Sequence, residues 1–297
     1  MSDRFWSLST RVETCTRRLC TRAYFGSMEF SKNPAQARVL GGQMLSPLIQ
    51  KIETRFHLSD YDRKALHQLS ARLVRVMAHR DLIEEGKASD HITFIRSGFA
   101  CRYRILPDGG RAIIAYLVPG DTCDLYAPLL GRMDHAVATV TRCDVAVVSR
   151  QDLGMLTSDH PAIAGALHIT DLVDEAISRE WLVSMGRRSA EKQIAHLLCE
   201  LLARLQVVGL ATSDSYEFPI TQADLADAAG LSVVHTNRVL QTLRAEGLIV
   251  LRNKTLFVPD LNRLHTFSDF DTRYLHLPQN LYSAERRRII SGVARLQ

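Results

Sequence analysis

No stretch of this chain approaches the roughly 18 consecutive apolar residues that a membrane-spanning helix requires. The longest apolar runs, such as residues 112–118, have the length of strands. That pattern argues against a membrane protein. The N-terminus has no apolar h-region behind its first basic residues, so it does not read as a secretory signal. Six cysteines at irregular spacing in 297 residues make no disulfide framework. No internal repeat is visible. A nucleophile elbow, a phosphate loop, a Gly-x-Gly-x-x-Gly turn and a His-Glu-x-x-His helix are all missing, which leaves a catalytic domain without its usual signatures. The eleven histidines, among them His91, His135 and His168, show no metal-ligand spacing. The expectation is a cytoplasmic protein that is not an enzyme and carries no cofactor.

What remains is an ordinary globular balance, 46% hydrophobic and 23% charged, in a length that suits about two domains. The net charge of +5 permits a polyanionic partner without demonstrating one. It sits at the ends: residues 1–44 carry seven basic against three acidic residues, and the last twenty carry four against one. Residues 1–44 lack sustained periodicity and end in Gly41-Gly42, so they read as a disordered or non-native extension, with Met28 or Met44 as alternative starts.

Residues 45–56 and 59–76 look helical, the second with Ser59 as N-cap and Leu66, Leu69 and Leu73 spaced by three and four. From 78 to 150 the pattern changes to short strands, at 92–95, 100–106, 112–117, 136–140 and 145–149. Turn signals such as Pro119-Gly120-Asp121 separate them. Short strands at regular spacing suggest a small antiparallel barrel or roll. A long helix opens at His160-Pro161, and Ile163, Leu167, Val173, Ile177, Trp181 and Leu182 recur along it. One narrow apolar stripe on a long helix suits a two-helix interface, the alternative being a helix that lies on its own roll. A second helix follows over 189–206, and then a polar loop over 212–217.

The most informative segment is 219–251. Thr221 can cap a helix, with Asp224 three residues on. Ala228-Ala229 allow close approach, Gly230 supplies the positive φ of a sharp turn, and Ser232 caps the next helix. Val239, Leu240 and Leu243 bury the inner face of that second helix, residues 232–245. Its outer face keeps Val233, Val234, Asn237, Arg238 and Gln241, with His235 near its start. Valine methyls suit a thymine methyl, Arg238 suits guanine O6 and N7, Asn237 a base edge or phosphate, and His235 a phosphate. Beyond it, 248–251 and 255–258 flank Arg252-Asn253-Lys254, a hairpin that holds two cations at its tip as a phosphate-contacting wing would.

With the Pro119-Gly120-Asp121 turn, the long helix, and the Leu231-Ser232-x-Val234-His235-x-Asn237-Arg238 stretch, the chain resembles the Crp/Fnr family of bacterial transcription regulators over roughly residues 45–265. The resemblance implies an α+β architecture: an antiparallel β-roll of the cyclic-nucleotide-binding type (45–158), a dimerisation helix (159–188) and a winged helix-turn-helix (189–265), then a tail (266–297). It also implies a homodimer that reads a palindromic site in double-stranded DNA, contacts RNA polymerase and activates or represses transcription. Arg238 matches the family arginine that pairs with guanine. The acid that many members carry four residues earlier is Val234 here, which departs from the usual half-site preference.

In cyclic AMP binders of this family a Gly-Glu pair and then an Arg-Ser pair hold the nucleotide. Here the turn continues Thr122-Cys123-Asp124-Leu125, and the phosphate positions fall near Met133-Asp134. An aspartate is electrostatically wrong beside a phosphate, and Arg132 alone is a weak substitute. Iron–sulfur members need four thiolates, whereas Cys15 and Cys20 have no third cysteine nearby. The effector stays open. The alternative to an ungated regulator is one gated by a thiol oxidant, or less readily by a cyclic nucleotide, with Cys123, Asp124 and Arg132 as the sensor candidates. Two other readings are a catalytic domain with an accessory helix-turn-helix and a roll that binds proteins after losing DNA.

Overall fold

The computed structural model describes residues 45–125, 129 and 131–277. The expectations placed on residues 1–44, on Cys15 and Cys20, and on the chain after 277 lie outside the described residues.

Helices α1 (Ser46–Glu53) and α2 (Asp60–Gln68) come first. Ser59 caps α2 in a reciprocal box with Asp62, whose amide donates to the serine hydroxyl at 3.1 Å. The helix expected to run to 76 stops at Gln68. Leu73 continues the helical spacing of Leu66 and Leu69, yet it lies in strand β1 (Arg72–Val76), paired antiparallel to β7 (Cys143–Ser149). Tertiary pairing overrode local periodicity there. The other roll strands are β2 (Asp81–Ile83), β3 (His91–Ser97), β4 (Ala100–Ile105), β5 (Arg111–Leu117) and β6 (Ala136–Thr139). They form two antiparallel sheets, ordered β1-β7-β3 and β2-β6-β4-β5.

Strand alternation divides the apolar side chains among three layers. Ile95, Val145 and Val147 of one sheet meet Ala100, Leu117 and Val137 of the other inside the roll, together with Cys123 and Met133. The opposite face of the first sheet (Ile92, Phe94, Ala146, Val148) packs on α1, α2 and the helices that follow the roll. The opposite face of the second sheet (Cys101, Tyr103, Ile113, Tyr116, Ala136, Ala138) packs on the C-terminal half. Each sheet therefore buries side chains on both of its faces.

Helix α3 (Arg150–Asp159), capped by Ser149, was not expected from the sequence. Helix α4 (Pro161–Arg187) starts with Pro161 at its first position and runs 27 residues, about 40 Å. Most of its expected interface stripe packs within the chain: Ile163 and Leu167 on the N-terminal helices, Val173, Ile177 and partly buried Trp181 on the C-terminal half, with Leu182 left exposed. A second stripe stays exposed, His168, Leu172, Glu175, Arg179, Leu182 and Gly186, at alternating spacings of four and three. Leu172 is 45% and Leu182 71% exposed.

Helix α5 (Ala190–Val207), capped by Ser189, ties the halves together through buried charge. Lys51 donates to Asp121 at 2.7 Å, and Arg204 donates to the other Asp121 oxygen at 2.6 Å and to Glu200 at 2.8 Å. Trp181 and Tyr274 donate to the second Glu200 oxygen, each at 3.1 Å. Burial alone would raise the Asp121 pKa, but Lys51 and Arg204 hold it well below the usual carboxylate range. Gly120 has φ +92°, and a Cβ there would come within 2.7 Å of the Pro47 carbonyl oxygen, so the turn needs glycine to let α1 close on it.

The tail expected from residue 266 begins as packed structure. Helix α8 (Leu261–Ser268) and a 3-10 turn (Thr272–Leu275) bury Leu264, Phe270 and Leu275 in the same cluster as α5.

Candidate nucleic-acid interface

Helix α6 (Gln222–Ala229) begins at Thr221, whose hydroxyl accepts from the Asp224 amide at 3.1 Å while Asp224 takes the Thr221 hydroxyl at 2.6 Å. The helix ends at Gly230, left-handed with φ 65°. Two residues later Ser232 caps α7 (Val233–Ala245), accepting from the His235 amide at 3.2 Å. Leu225, Ala226, Ala228 and Ala229 of α6 are buried, as are Thr236, Val239, Leu240 and Leu243 of α7. Strands β8 (Ser215–Glu217), β9 (Val250–Arg252) and β10 (Thr255–Phe257) form the wing sheet, with β10 central. Its β8 strand falls in the segment expected to be a polar loop. Asn253 (φ 49°) and Lys254 (φ 59°) are both left-handed, the backbone of a type I′ hairpin turn.

The outer face of α7 is open. At 100° per residue, Val234, Arg238 and Gln241 share its centre, with His235 on one flank and Val233 and Asn237 on the other. Val233 is 48% and Val234 63% exposed, and His235, Arg238 and Gln241 are exposed too. Among the described residues, no carboxylate pairs with Arg238, Arg252 or Lys254, and the last two stand exposed at the wing tip. Thr221 and Ser232 are exposed at their helix starts, with their hydroxyls engaged in capping.

Asn237 departs from the sequence expectation. Its amide donates to Gln222 Oε1 at 2.8 Å, and the side chain is half-buried between the two helices. Gln222, the first residue of α6, is thereby added to the surface. A lone glutamine after a cap gave no signal of this in the sequence. Nor did anything mark Arg111, in strand β5, as a neighbour of α6. Its Nη2 reaches Asp224 at 2.5 Å and its Nε reaches Asp227 at 2.6 Å.

The three sensor candidates differ in burial. Cys123 is fully buried in the roll interior, its carbonyl accepting from Arg102 at 3.0 Å, and burial pushes its thiol far up. A reactive thiol needs the opposite, exposure and a lowered pKa, so Cys123 is withdrawn as the oxidant sensor. Cys101, Cys143 and Cys199 are likewise buried, each pushed up to about 12 by desolvation. Asp124 is half-buried and Arg132 exposed. Met133 fills the roll interior, while exposed Asp134 pairs with His135 at 2.7 Å. Among the described residues, the positions expected to hold the phosphate carry a buried thioether and an exposed carboxylate.

A β-roll that carries a winged helix-turn-helix with unpaired cations on its outer face defines a DNA-binding transcription regulator. Residues 73–160 match the cyclic nucleotide-binding domain and residues 192–267 the Crp-like helix-turn-helix domain. The chain belongs to the Crp/Fnr family of transcription regulators. It is 28% identical over 191 residues to a Rhizobium leguminosarum protein named "Probable transcriptional activator", covering 64% of this chain and 78% of that one. It is 25% identical over 193 residues to the transcriptional activator protein FnrL of Cereibacter sphaeroides, covering 63% and 76%. Among solved structures, FixK2 from Bradyrhizobium japonicum superposes with a TM-score of 0.61 at 22% identity, over 67% of this chain and 98% of that one, which supports the fold.

Proposed function

We propose that the chain acts as a homodimer on a palindromic site in double-stranded DNA, reads base edges through Val234, Arg238 and Gln241, and activates transcription through contact with RNA polymerase. The observation that carries this reading is Arg238, exposed and unpaired at the centre of a recognition helix whose caps and inner face are all satisfied. Val233, Asn237 and His235 flank it. Thr221 and Ser232 bring two helix N-termini toward the phosphates, and Arg252 and Lys254 meet the backbone from the wing.

The dimer reading rests on the exposed stripe of α4. Its spacing is that of a coiled-coil seam, with Leu172 and Leu182 exposed along it. The activator reading follows the printed names of the relatives, and contact with RNA polymerase is what the family resemblance implies. A cytoplasmic location follows from the same reading, and no helix among the described residues is long and apolar enough to cross a membrane. The thioether and carboxylate of Met133 and Asp134, where a phosphate would need cations, support a protein that binds DNA without a cyclic nucleotide. The oxidant-gated alternative has lost its best thiol.

The test is selection of purified protein against random DNA duplexes at fixed, stated salt with no ligand added. Recovery of a palindrome with half-sites about one helical turn apart is the expected result. Recovery of sequence-independent, salt-sensitive binding alone overturns the ungated reading.

A further inference from the structure

The helix-turn-helix does not hang free of the roll. Apolar packing of α6 on β5 places Tyr116 and Ile113 beside Leu225, Ala228 and Ala229 in one buried cluster. Such packing is non-directional and leaves rotation about the contact undetermined. Arg111 supplies direction. Its rigid planar guanidinium bonds two separate carboxylates one turn apart on α6, Asp224 at 2.5 Å and Asp227 at 2.6 Å. The Arg111 side chain is 18% exposed, Asp224 4% and Asp227 29%. Asp224 is also the carboxylate that closes the Thr221 capping box, so the grip reaches the N-terminus of α6. A second point comes from Tyr116, whose hydroxyl donates to the Asp224 carbonyl at 2.9 Å. Arg204 references α5 to the same strand by donating to the Tyr116 carbonyl at 2.9 Å.

We propose that Arg111 of the roll is a positioning residue for DNA reading: its grip on Asp224 and Asp227 fixes the angle of the recognition helix against the long helix, and so sets the half-site spacing that the dimer accepts. This rests on the dimer reading above. One carboxylate neutralises one arginine. Two carboxylates gripped by one guanidinium fork define an orientation. In a dimer, each recognition helix must enter the major groove about 34 Å from its partner. A rotation of either winged domain about the Arg188–Ser189 junction changes that separation. A strand 113 residues before Asp224 thereby carries part of the operator specificity without approaching DNA.

The experiment uses the full chain and duplexes with identical half-sites, their centre-to-centre spacing varied one base pair at a time. A duplex with a single half-site serves as reference. The parent is expected to favour one spacing over its neighbours by roughly tenfold, the discrimination a tie of about 1.4 kcal/mol supports. Arg111→Ala is expected to flatten that profile to within about threefold while the single half-site affinity stays within about twofold of the parent. Asp227→Asn, which leaves Asp224 and its capping box intact, is expected to flatten it partly. It also carries the test if Arg111→Ala does not fold. A variant profile that superimposes on the parent's overturns the positioning role and leaves the dimer reading standing. A parent that binds single half-sites as well as paired ones overturns the dimer reading, and the positioning role with it.

Discussion

The cations of the buried interdomain seam and those of the recognition surface are the same residue types in opposite situations. Arg204, Arg102 and Arg111 each meet carboxylates within 3.3 Å, and their side chains are 8–18% exposed. Arg238, Arg252 and Lys254 are exposed, and no carboxylate of the described residues pairs with them. A paired, desolvated cation has spent its hydrogen-bonding capacity inside the protein and serves the fold. An unpaired exposed cation keeps that capacity for an anionic partner. The bulk charge of +5 made no such distinction, because pairing is a property of the folded chain.

The sharpest way to break this contrast is to remove one buried carboxylate. Asp121→Ala leaves Lys51 and Arg204 both desolvated without their shared partner and is expected to cost about 3–5 kcal/mol of stability. Urea unfolding checks it. A loss below about 1 kcal/mol would mean that the seam is decorative. His196 offers a milder perturbation, as a base that the same seam keeps neutral. Burial first, then the neighbouring Arg188 charge, lower its pKa from 6.5 to about 4. The folded protein therefore binds this proton less readily than the unfolded chain. The stability is complete above pH 6.5 and is lost as the pH falls from 6.5 toward 4, a loss on the order of 3 kcal/mol. Denaturation midpoints at several values across that window should fall for the parent, and His196→Gln should remove most of that slope.

The opposite half of the contrast predicts binding without stability. Arg238→Ala should cost about 1–3 kcal/mol on the best operator, relax specificity at one base position, and leave unfolding within about 0.5 kcal/mol of the parent. Titration of both proteins on the selected site and on a scrambled duplex measures both. An unchanged affinity for the selected site removes Arg238 from the reading head.

Legibility in the sequence followed the range of the interactions. Thr221, Asp224, Gly230 and Ser232 act within three or four residues of themselves, so the helix-turn-helix could be placed to within a residue. The roll strands 92–95, 112–117 and 136–140 were legible from turns and β-branched runs, although β1 and β2 were not. The first hid behind a leucine spacing that also fits a helix, and β2 has three residues, Asp81–Ile83. The long helix was found, and its apolar stripe had two readings, a partner face or a face on its own roll; the chain itself covers most of it. Ile163, Val173 and Ile177 make a good apolar stripe, but which stripe faces a partner depends on what the rest of the chain already covers. The links from Arg111 to Asp224 and from Arg204 to Asp121 span 113 and 83 residues, and no local pattern reports them. The Met133-Asp134 pair was visible in the sequence, whereas the burial of Cys123 required the fold.

The smallest predicted effect separates two kinds of unpaired cation. Arg252 and Lys254 sit on a hairpin turn beyond the recognition helix, where the left-handed Asn253 and Lys254 backbone turns the chain tightly. On the proposed reading they meet phosphates, which carry no sequence information. Arg252→Ala or Lys254→Ala should therefore weaken operator and scrambled DNA by the same factor, unlike Arg238→Ala. Each should reduce the slope of log K against log salt by about 1, the signature of one lost phosphate contact. Affinities of the three variants at four salt concentrations test this directly. If a wing variant instead loses discrimination between operator and scrambled duplex at constant salt slope, the wing reads bases and the division between reading head and phosphate clamp is misplaced.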